Sequence, residues 1–217
     1  MIVLKGVSKC YRGEFFALRD INLTINEGDF LSVTGHSGSG KSTLMNILGT
    51  LDRPTTGDIY IDGTNLKAVN KSGLAGFRNK KIGFVFQNYN LIDSLTVYKN
   101  LELVLIYGGV SKNERDFMIK NALSEVSLSE KENAYPYELS GGQKQRIGLA
   151  RAVINHPKII LADEPSGNLD PENSLKIMEL LKKLNNQGQT IVMVTHNMET
   201  TKYGNRVISI ENGTICS

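Results

Sequence analysis

A glycine-rich segment with one lysine is the clearest chemical feature of this 217-residue chain. It reads Gly35-x-x-x-x-Gly40-Lys41-Ser42, between an apolar strand pattern and a helical pattern, and we call residues 35–42 the phosphate loop. Glycines permit positive backbone angles, so N–H groups of residues 37–43 can surround a β-phosphate, with the dipole of the following helix behind them. Lys41 supplies a charge for the β- and γ-phosphates, and the Ser42 hydroxyl can ligate magnesium. We expect a nucleoside triphosphate here, bound by Gly35, Ser37, Gly38, Ser39, Gly40, Lys41, Ser42 and Thr43.

Two carboxylates end another apolar strand pattern, IILADE. Neighbouring strand residues point to opposite faces, so Asp163 and Glu164 can act differently at the carboxyl edge of the sheet, where ligands bind in open α/β folds. We expect Asp163 to hold magnesium, usually through water, and Glu164 to orient and deprotonate the attacking water. His196 follows the next apolar strand in a register that points toward the γ-phosphate. Gln87 closes the strand pattern IGFVFQ, and its amide oxygen could reach the metal or the water.

A second glycine-rich helix start, Leu139-Ser140-Gly141-Gly142-Gln143, which we call the signature loop, opens the pattern GQKQRIGLARAV. Serine and glycines at a helix N-terminus make another anion site. One nucleotide does not need two such sites on one subunit. We therefore expect a head-to-tail pair, in which each nucleotide lies between the phosphate loop of one subunit and Ser140, Gly141, Gly142 and Gln143 of the other.

Short β-branched runs alternate with helical patterns, which is typical of a mostly parallel sheet with crossover helices. Several runs, such as FLSV and TIVMV, are apolar without alternation and predict strands buried on both faces. Helices are predicted over 171–186 and 113–126, and no convincing strand lies between 87 and 140. The predicted strands are 2–7, 21–25, 30–34, 58–61, 82–86, 158–162, 190–195 and 207–210.

Charge and cysteine content name no partner. Lysine and arginine number 25 against 22 acidic residues, a net charge of +3, so no basic stripe argues for nucleic acid. Segment 87–140 is acidic, and the segments on either side of it are basic. Cys10 and Cys216 stand far apart in the sequence without a Cys/His cluster, which disfavours zinc and excludes a disulfide scaffold. No apolar run approaches the length that spans a bilayer.

Six motifs in order resemble the ATP-binding cassette (ABC) ATPases over essentially the whole chain. They are the phosphate loop, Gln87, the signature loop, IILADE at 159–164, SGNLD at 166–170 and His196. The resemblance implies one α/β P-loop NTPase domain over 1–217, with an N-terminal antiparallel β subdomain, a RecA-like core from 1–86 and 141–217, and an inserted helical subdomain at about 87–140. It implies hydrolysis of ATP with Mg²⁺, stacking of Tyr11 on adenine, and a nucleotide-site role for Asp170.

Within that family, LDRPTTGDIYIDG, FQNYNLIDSLTVYKNL and SGNLD look like the bacterial macrolide-exporter and lipoprotein-releasing subgroup. The resemblance implies a homodimer on the cytoplasmic face of the membrane, energising a separate permease that moves peptides, antibiotics or lipoproteins. Surface 87–100 is expected to contact that permease. Two positions depart from the common family pattern. Lys144 stands in the run GGQKQR, and Asn168 replaces a widespread alanine but is typical of the subgroup.

Two other functions stay open at the level of sequence. A nucleic-acid or ribosome-acting ABC ATPase is disfavoured, because only about 100 residues separate Lys41 from Ser140, which leaves no room for a long coiled coil, and because the chain has one cassette and no zinc cysteines. A division-associated or mechanotransmitting cassette, which signals through its membrane partner without moving a solute, shares every motif. The sequence does not identify the substrate.

Overall fold

The computed structural model describes residues 1–13 and 15–216, and within them the chain forms two sheets with helices packed on both faces of the larger one. The strands are β1 (Ile2–Tyr11), β2 (Phe15–Ile25), β3 (Phe30–Thr34), β4 (Thr56–Ile61), β5 (Thr64–Asn65), β6 (Ile82–Val85), β7 (Ile159–Asp163), β8 (Thr190–Val194), β9 (Arg206–Glu211) and β10 (Thr214–Cys216). The α-helices are α1 (Lys41–Leu48), α2 (Lys71–Lys81), α3 (Val97–Tyr107), α4 (Lys112–Glu125), α5 (Gly141–Val153) and α6 (Pro171–Asn186).

The larger sheet has the strand order β10-β9-β3-β8-β7-β6, with every neighbouring pair parallel except β9 and β10. All residues of β3 and β8 are buried, which confirms the prediction made from their unbroken apolar runs. The smaller sheet, in the order β2-β1-β4-β5, is antiparallel throughout. These features confirm the predicted α/β P-loop architecture with an antiparallel N-terminal sheet.

Alternate residues of the central strands face two different hydrophobic cores, as the two-residue period of a strand requires. On one face, Leu31, Leu161 and Val192 pack with the apolar side of α1 and with the smaller sheet. On the other face, Phe30, Ile160, Ile191 and Met193 pack with α5 and α6. The helix that follows the phosphate loop and the helix that follows the signature loop therefore lie on opposite faces of one sheet.

Residues 87–140 contain α3, α4 and the short 3-10 helices Ser129–Lys131 and Pro136–Glu138, with no strand, as predicted. Thr96 caps α3, and Ser111 forms a capping box with Glu114 at the start of α4. The core of this segment joins Val97, Leu101, Ile119 and Leu123 to Ile147 and Ala150 of α5. Because α5 contributes to this core, the boundary at about 140 that we predict for a helical subdomain stays a prediction.

Most of the predicted elements lie within a few residues of the observed ones, whereas α2, α3, β5 and β10 were not predicted. Helix α6 has the predicted bounds, whereas β1 and β2 extend further than the apolar pattern indicated. The short strands β5 and β10 were missed, because two or three residues are too few to show a period. No described helix is both long and apolar enough to cross a membrane.

Candidate active site

The phosphate loop leaves β3 and turns into α1 through three glycines with positive φ angles. The φ angles of Gly35, Gly38 and Gly40 are 141°, 77° and 117°. A Cβ on Gly40 would overlap the carbonyl oxygen of Ala17, so this position needs glycine for both conformation and space. Gly40 caps α1 without any side-chain hydrogen bond, and the first intrahelical bond runs from Leu44 N–H to Gly40 O at 2.9 Å. The N–H groups of residues 41–43 are therefore the orphan donors of a helix start, which suits an anion.

Lys41 folds back over the phosphate loop. Its ammonium donates to the carbonyl oxygens of Gly35 and His36, both at 2.8 Å. Ser42 is exposed and Thr43 half-buried at the same helix start, while Ser39 is buried and its N–H donates to His36 O at 3.2 Å. The Lys41 ammonium is therefore held against the phosphate loop by two carbonyl oxygens. The Ser39 N–H already donates to a carbonyl oxygen of the same loop.

Glu164 and His196 form a pair at the carboxyl ends of β7 and β8. Oε1 of Glu164 accepts the His196 N–H at 2.9 Å and lies 2.7 Å from His196 Nδ1. The carboxylate is mostly buried, at 15% side-chain exposure, whereas the imidazole is 71% exposed. Glu164 has a φ of 45°, a left-handed conformation that is costly for a non-glycine residue and is concentrated at functional sites.

Asp163, the last residue of β7, is the candidate metal ligand. Burial raises the pKa of its carboxyl group, the neighbouring charge of Glu164 raises it further, and Lys41 partly offsets both. A half-buried carboxylate with another carboxylate beside it is stabilised by a cation. The oxygens of Asp163, Ser42 and Gln87 are the type that Mg²⁺ prefers. No cluster of three His, Cys, Asp or Glu side chains suited to a metal occurs among the described residues, so a metal here would take most of its ligands from phosphate and water.

Gln87, just after β6, is held by the turn that follows β7. Its Nε2 donates to Asn168 Oδ1 at 3.1 Å, and Asn168 Nδ2 donates to Gln87 O at 3.2 Å and to Asn88 Oδ1 at 2.9 Å. Gly167 leaves room for this contact, because a Cβ there would lie 3.0 Å from Gln87 Nε2. The sequence indicated Gln87 but gave Asn168 no role.

The signature loop closes its own helix start. Ser140 Oγ accepts the Gln143 N–H at 3.3 Å, and Gln143 Oε1 accepts the Ser140 N–H at 2.9 Å, which is a capping box. A Cβ on Gly141 would lie 2.9 Å from the hydroxyl oxygen of Tyr89, and one on Gly142 would overlap the side chain of Asn173 in α6. Close neighbouring side chains, and not a positive φ angle, therefore explain glycine at these two positions. The structure does not bring them to the phosphate loop of the same subunit.

Tyr11, at the end of β1, is fixed by a charged cluster that the sequence did not reveal. Its hydroxyl donates to Asp52 Oδ2 at 2.7 Å, and Lys9 Nζ lies 2.6 Å from Asp52 Oδ1 and 4.8 Å from the centre of the Tyr11 ring. Burial and the hydrogen bond to Asp52 raise the pKa of Tyr11. Burial also acts to raise the pKa of Asp52, but the hydrogen bonds from Lys9 and Tyr11 outweigh it and leave this pKa below its ordinary value.

Asp170 is the N-cap of α6. Its carboxylate accepts the N–H of Asn173 at 2.9 Å and the amide Nδ2 of Asn173 at 2.6 Å. The hydrogen bond from the Asn173 backbone is the main cause of the lowered pKa of Asp170. This cap role is visible in the sequence, because Asp170 precedes a proline at the first helical position.

Two contacts that sequence reasoning missed, one of them buried, connect α5 to the loops of the site. Gln145 Nε2 donates to the carbonyl oxygen of Pro165 at 2.6 Å. The Arg151 guanidinium donates to the carbonyl oxygens of Tyr89, at 2.8 Å, and Asn90. Burial lowers the pKa of Arg151. Neither contact joins two chemically reactive groups, so no residue pattern signalled it.

Comparisons with known proteins agree with this geometry. The family model described as "ABC transporter" matches residues 18–167, more than half of the chain. The ABC transporter ATP-binding protein YknY of Bacillus subtilis is 46% identical over 218 residues, which cover 99% of this chain and 95% of the relative. The macrolide export ATP-binding/permease protein MacB of Campylobacter jejuni is 43% identical over 217 residues, which cover 100% of this chain but 34% of MacB. A dimeric post-hydrolysis structure of the cassette MJ0796 of Methanocaldococcus jannaschii, bound to ADP and Pi, superimposes with a TM-score of 0.91 at 45% identity and covers 100% of this chain and 97% of that one.

Proposed function

Since this chain belongs to the ABC transporter family as an ATP-binding subunit with ATPase activity, we propose that it is the homodimeric, Mg²⁺-dependent motor of a separate membrane permease. The substrate class we propose is a peptide, an antibiotic or a lipoprotein-like molecule, exported or released from the membrane. The observation that carries the proposal is the position of the two glycine-rich helix starts on opposite faces of one sheet. A single subunit then offers each nucleotide only half of a site.

The chemical roles follow from the side chains at the carboxyl edge of the larger sheet. The phosphate loop and Lys41 bind the triphosphate, and Tyr11 stacks on the adenine. Glu164 accepts a proton from the attacking water, and His196, hydrogen-bonded to Glu164, orients this carboxylate and contacts the γ-phosphate. Mg²⁺, when bound by Ser42, Gln87 and Asp163, would neutralise charge on the phosphate oxygens.

In the dimer, Ser140, Gly141, Gly142 and Gln143 of one subunit close over the γ-phosphate held by the other, and Asp170 lies beside this contact. The arrangement is a two-fold pair with two equivalent sites. Two solved structures of the MJ0796 cassette, which is similar in sequence over its length, are described as dimeric, and one of them is bound to ADP and Pi. That similarity supports a homodimer for the present chain.

A groove next to Gln87 suits the permease. It has a volume of about 550 Å³ and lies between α2, β6, α3 and α5. Tyr107, 78% exposed, and Leu51, 51% exposed, stand on its rim, and Phe86, immediately before Gln87, lies in its wall. We propose that a short amphipathic segment of the permease inserts here, which places the chain peripherally on the cytoplasmic face of the membrane. The segment 87–100, which includes the start of α3, would carry the motion.

The nucleotide part of the proposal is tested with Glu164→Gln. ATP binding should persist, turnover should fall by roughly 10²–10⁴-fold because the proton acceptor is lost, and an ATP-dependent dimer should accumulate in light scattering. Glu179→Gln, an exposed change on α6, is the matched control and should behave as wild type. A variant that stays monomeric with ATP and turns over normally would contradict the assignment of Glu164.

The permease part is tested by affinity capture from membranes with Tyr107→Ala combined with Leu51→Asp. The double variant should no longer capture the permease, and its basal ATPase activity should be unchanged. Phe117→Ala, which removes another exposed aromatic ring, is the control and should capture the permease as wild type does. Equal capture by all variants would contradict docking in this groove. The captured partner also separates transport from mechanotransmission, since a partner that controls a cell-wall hydrolase would replace the export proposal with the signalling one.

A further inference from the structure

Asn168 makes three hydrogen bonds to the residues that follow β6, and one of them fixes the orientation of two amide groups. The main-chain oxygen of Gln87 can only accept, and it lies 3.2 Å from Asn168 Nδ2, so the Asn168 amide must present nitrogen there. Its Oδ1 then faces the Gln87 side chain, 3.1 Å away, and needs a donor. Gln87 must therefore present Nε2 to Asn168, which leaves Gln87 Oε1 as the uncommitted acceptor.

The turn that carries Asn168 is connected closely to Glu164. The N–H of Gly167 donates to the carbonyl oxygen of Glu164 at 3.0 Å, and a Cβ on Gly167 would approach both the Gln87 amide and Glu164 Cβ. A side chain at position 167 would therefore crowd the Gln87 amide, so the turn at residues 164–168 lies directly against the Gln87 side chain.

The far end of the same loop is held by α5. Arg151 donates to the carbonyl oxygens of Tyr89 and Asn90, residues with φ angles of 61° and 50°. The loop 87–90 is therefore fixed at its start by Asn168 and at its end by Arg151. Of these two ties, only that of Asn168 involves the Gln87 side chain.

We infer that Asn168 is a positioning residue for the ATPase reaction: it engages the amide nitrogen of Gln87 so that the amide oxygen is the atom offered to the metal or the attacking water. This inference rests on the proposed role of Gln87. An alanine at position 168 has no polar group that could hydrogen-bond to the side-chain amide of Gln87 or of Asn88. Gln87 would then rotate freely about its last torsion and present nitrogen to the metal in part of the population.

The test compares Asn168→Ala, Gln87→Ala and the double variant with Asn88→Ala, which removes only the contact of Asn168 with the Asn88 side chain. The affinity for a fluorescent ATP analogue is measured in Mg²⁺ and in EDTA, together with the Mg²⁺ concentration for half-maximal turnover. Asn168→Ala should weaken the Mg²⁺-dependent gain in affinity by about ten-fold, as expected for the loss of one to two hydrogen bonds. Affinity in EDTA should not change, and the double variant should match Gln87→Ala.

Asn168→Asp gives a second measurement. Its carboxylate still accepts from Gln87 Nε2 but places an oxygen against the Gln87 main-chain oxygen, so an intermediate Mg²⁺ response is expected. Three results would overturn the inference. The effects of Asn168→Ala and Gln87→Ala on the Mg²⁺-dependent gain in affinity could add fully in the double variant, or either single variant could respond to Mg²⁺ as wild type does. The third is an equal loss of affinity in EDTA. Capture of the permease by wild-type protein does not depend on these results, so the proposed function is tested separately.

Discussion

The two glycine-rich helix starts of this molecule use the same residue type for different physical reasons. In the phosphate loop, Gly35, Gly38 and Gly40 adopt positive φ angles, and the helix start has no side-chain cap. In the signature loop, Gly141 and Gly142 lie within the first turn of α5 and are needed because Tyr89 and Asn173 come too close for a Cβ. Ser140 and Gln143 already satisfy donors at that start. One loop is an uncapped helix start whose orphan N–H groups suit an anion, and the other is a capped helix start, for which we propose a part in the site of a second subunit.

Gly40→Ala should have the largest effect on ATP binding, because it removes a conformation that the phosphate loop requires. A left-handed conformation costs an L-residue roughly 1–2 kcal/mol, and the overlap with Ala17 adds to this cost. ATP affinity, measured by calorimetry, should fall by at least about ten-fold, with hydrolysis lost in proportion. Gly28→Ala is the control. It has a φ of 78° with open space around it at the other end of β3, so it should lower stability and leave affinity unchanged.

Ser140 separates the structural role of the signature loop from its proposed chemical role. Ser140→Ala should cost about 1 kcal/mol of unfolding free energy, because the cap is lost. Ser140→Asp keeps the cap and the unfolding free energy, but its negative charge repels the γ-phosphate in the dimer, so hydrolysis should fall by more than about 100-fold while ATP binding to the monomer persists. Denaturant unfolding, calorimetry and turnover measure the three quantities. An active Ser140→Asp variant would contradict the composite site.

Gly142→Ala tests whether space alone explains the second loop. The new Cβ would overlap Asn173, and overpacking of this kind costs about 1–3 kcal/mol of unfolding free energy. Because the overlap displaces the start of α5, turnover should also fall, with monomer ATP affinity unchanged. Asn173→Ala in the same chain should restore part of the activity, because it removes the two nearest overlapping atoms, Oδ1 and Cγ, and leaves only the Cβ at 2.9 Å. No such rescue is available for Gly40. If Asn173→Ala gives no recovery, close approach is not the reason for Gly142.

Reactive residues could be predicted from the sequence better than the residues that hold them. Lys41, Asp163 and Glu164 stand at strand ends and helix starts, where local pattern is sufficient to place them. Asn168, Arg151 and the cluster of Lys9 and Asp52 act through contacts between segments distant in sequence, and a single sequence carries no signal for such pairs. The same limit explains the signature loop, since its glycines respond to Tyr89 and Asn173, which only the fold brings near.

The smallest predicted effect concerns stability alone, and its sign should differ between two aspartates near the two loops, Asp163 at the end of β7 and Asp170 at the start of α6. Burial and the charge of Glu164 raise the pKa of Asp163, which lies near Lys41 of the phosphate loop. The hydrogen bond from the Asn173 N–H, at the start of α6, lowers the pKa of Asp170. At pH 7, without nucleotide and in EDTA, Asp163→Asn should therefore raise the melting temperature and Asp170→Ala should lower it.

The pH dependence of the two changes in melting temperature, for Asp163→Asn and for Asp170→Ala, tests whether the aspartate charges cause them. A raised pKa means that the folded state binds the Asp163 proton more tightly, so the cost of its charge falls away as the pH drops through that raised pKa toward the ordinary value of about 3.9. A lowered pKa means that the contribution of Asp170 persists until the pH falls below the ordinary value and through the lowered one. As the pH is lowered from 7, the Asp163→Asn difference in melting temperature should shrink first, while the Asp170→Ala difference should remain whole until a lower pH. Parallel pH profiles for the two variants would mean that the charges of Asp163 and Asp170 do not have opposite effects on stability.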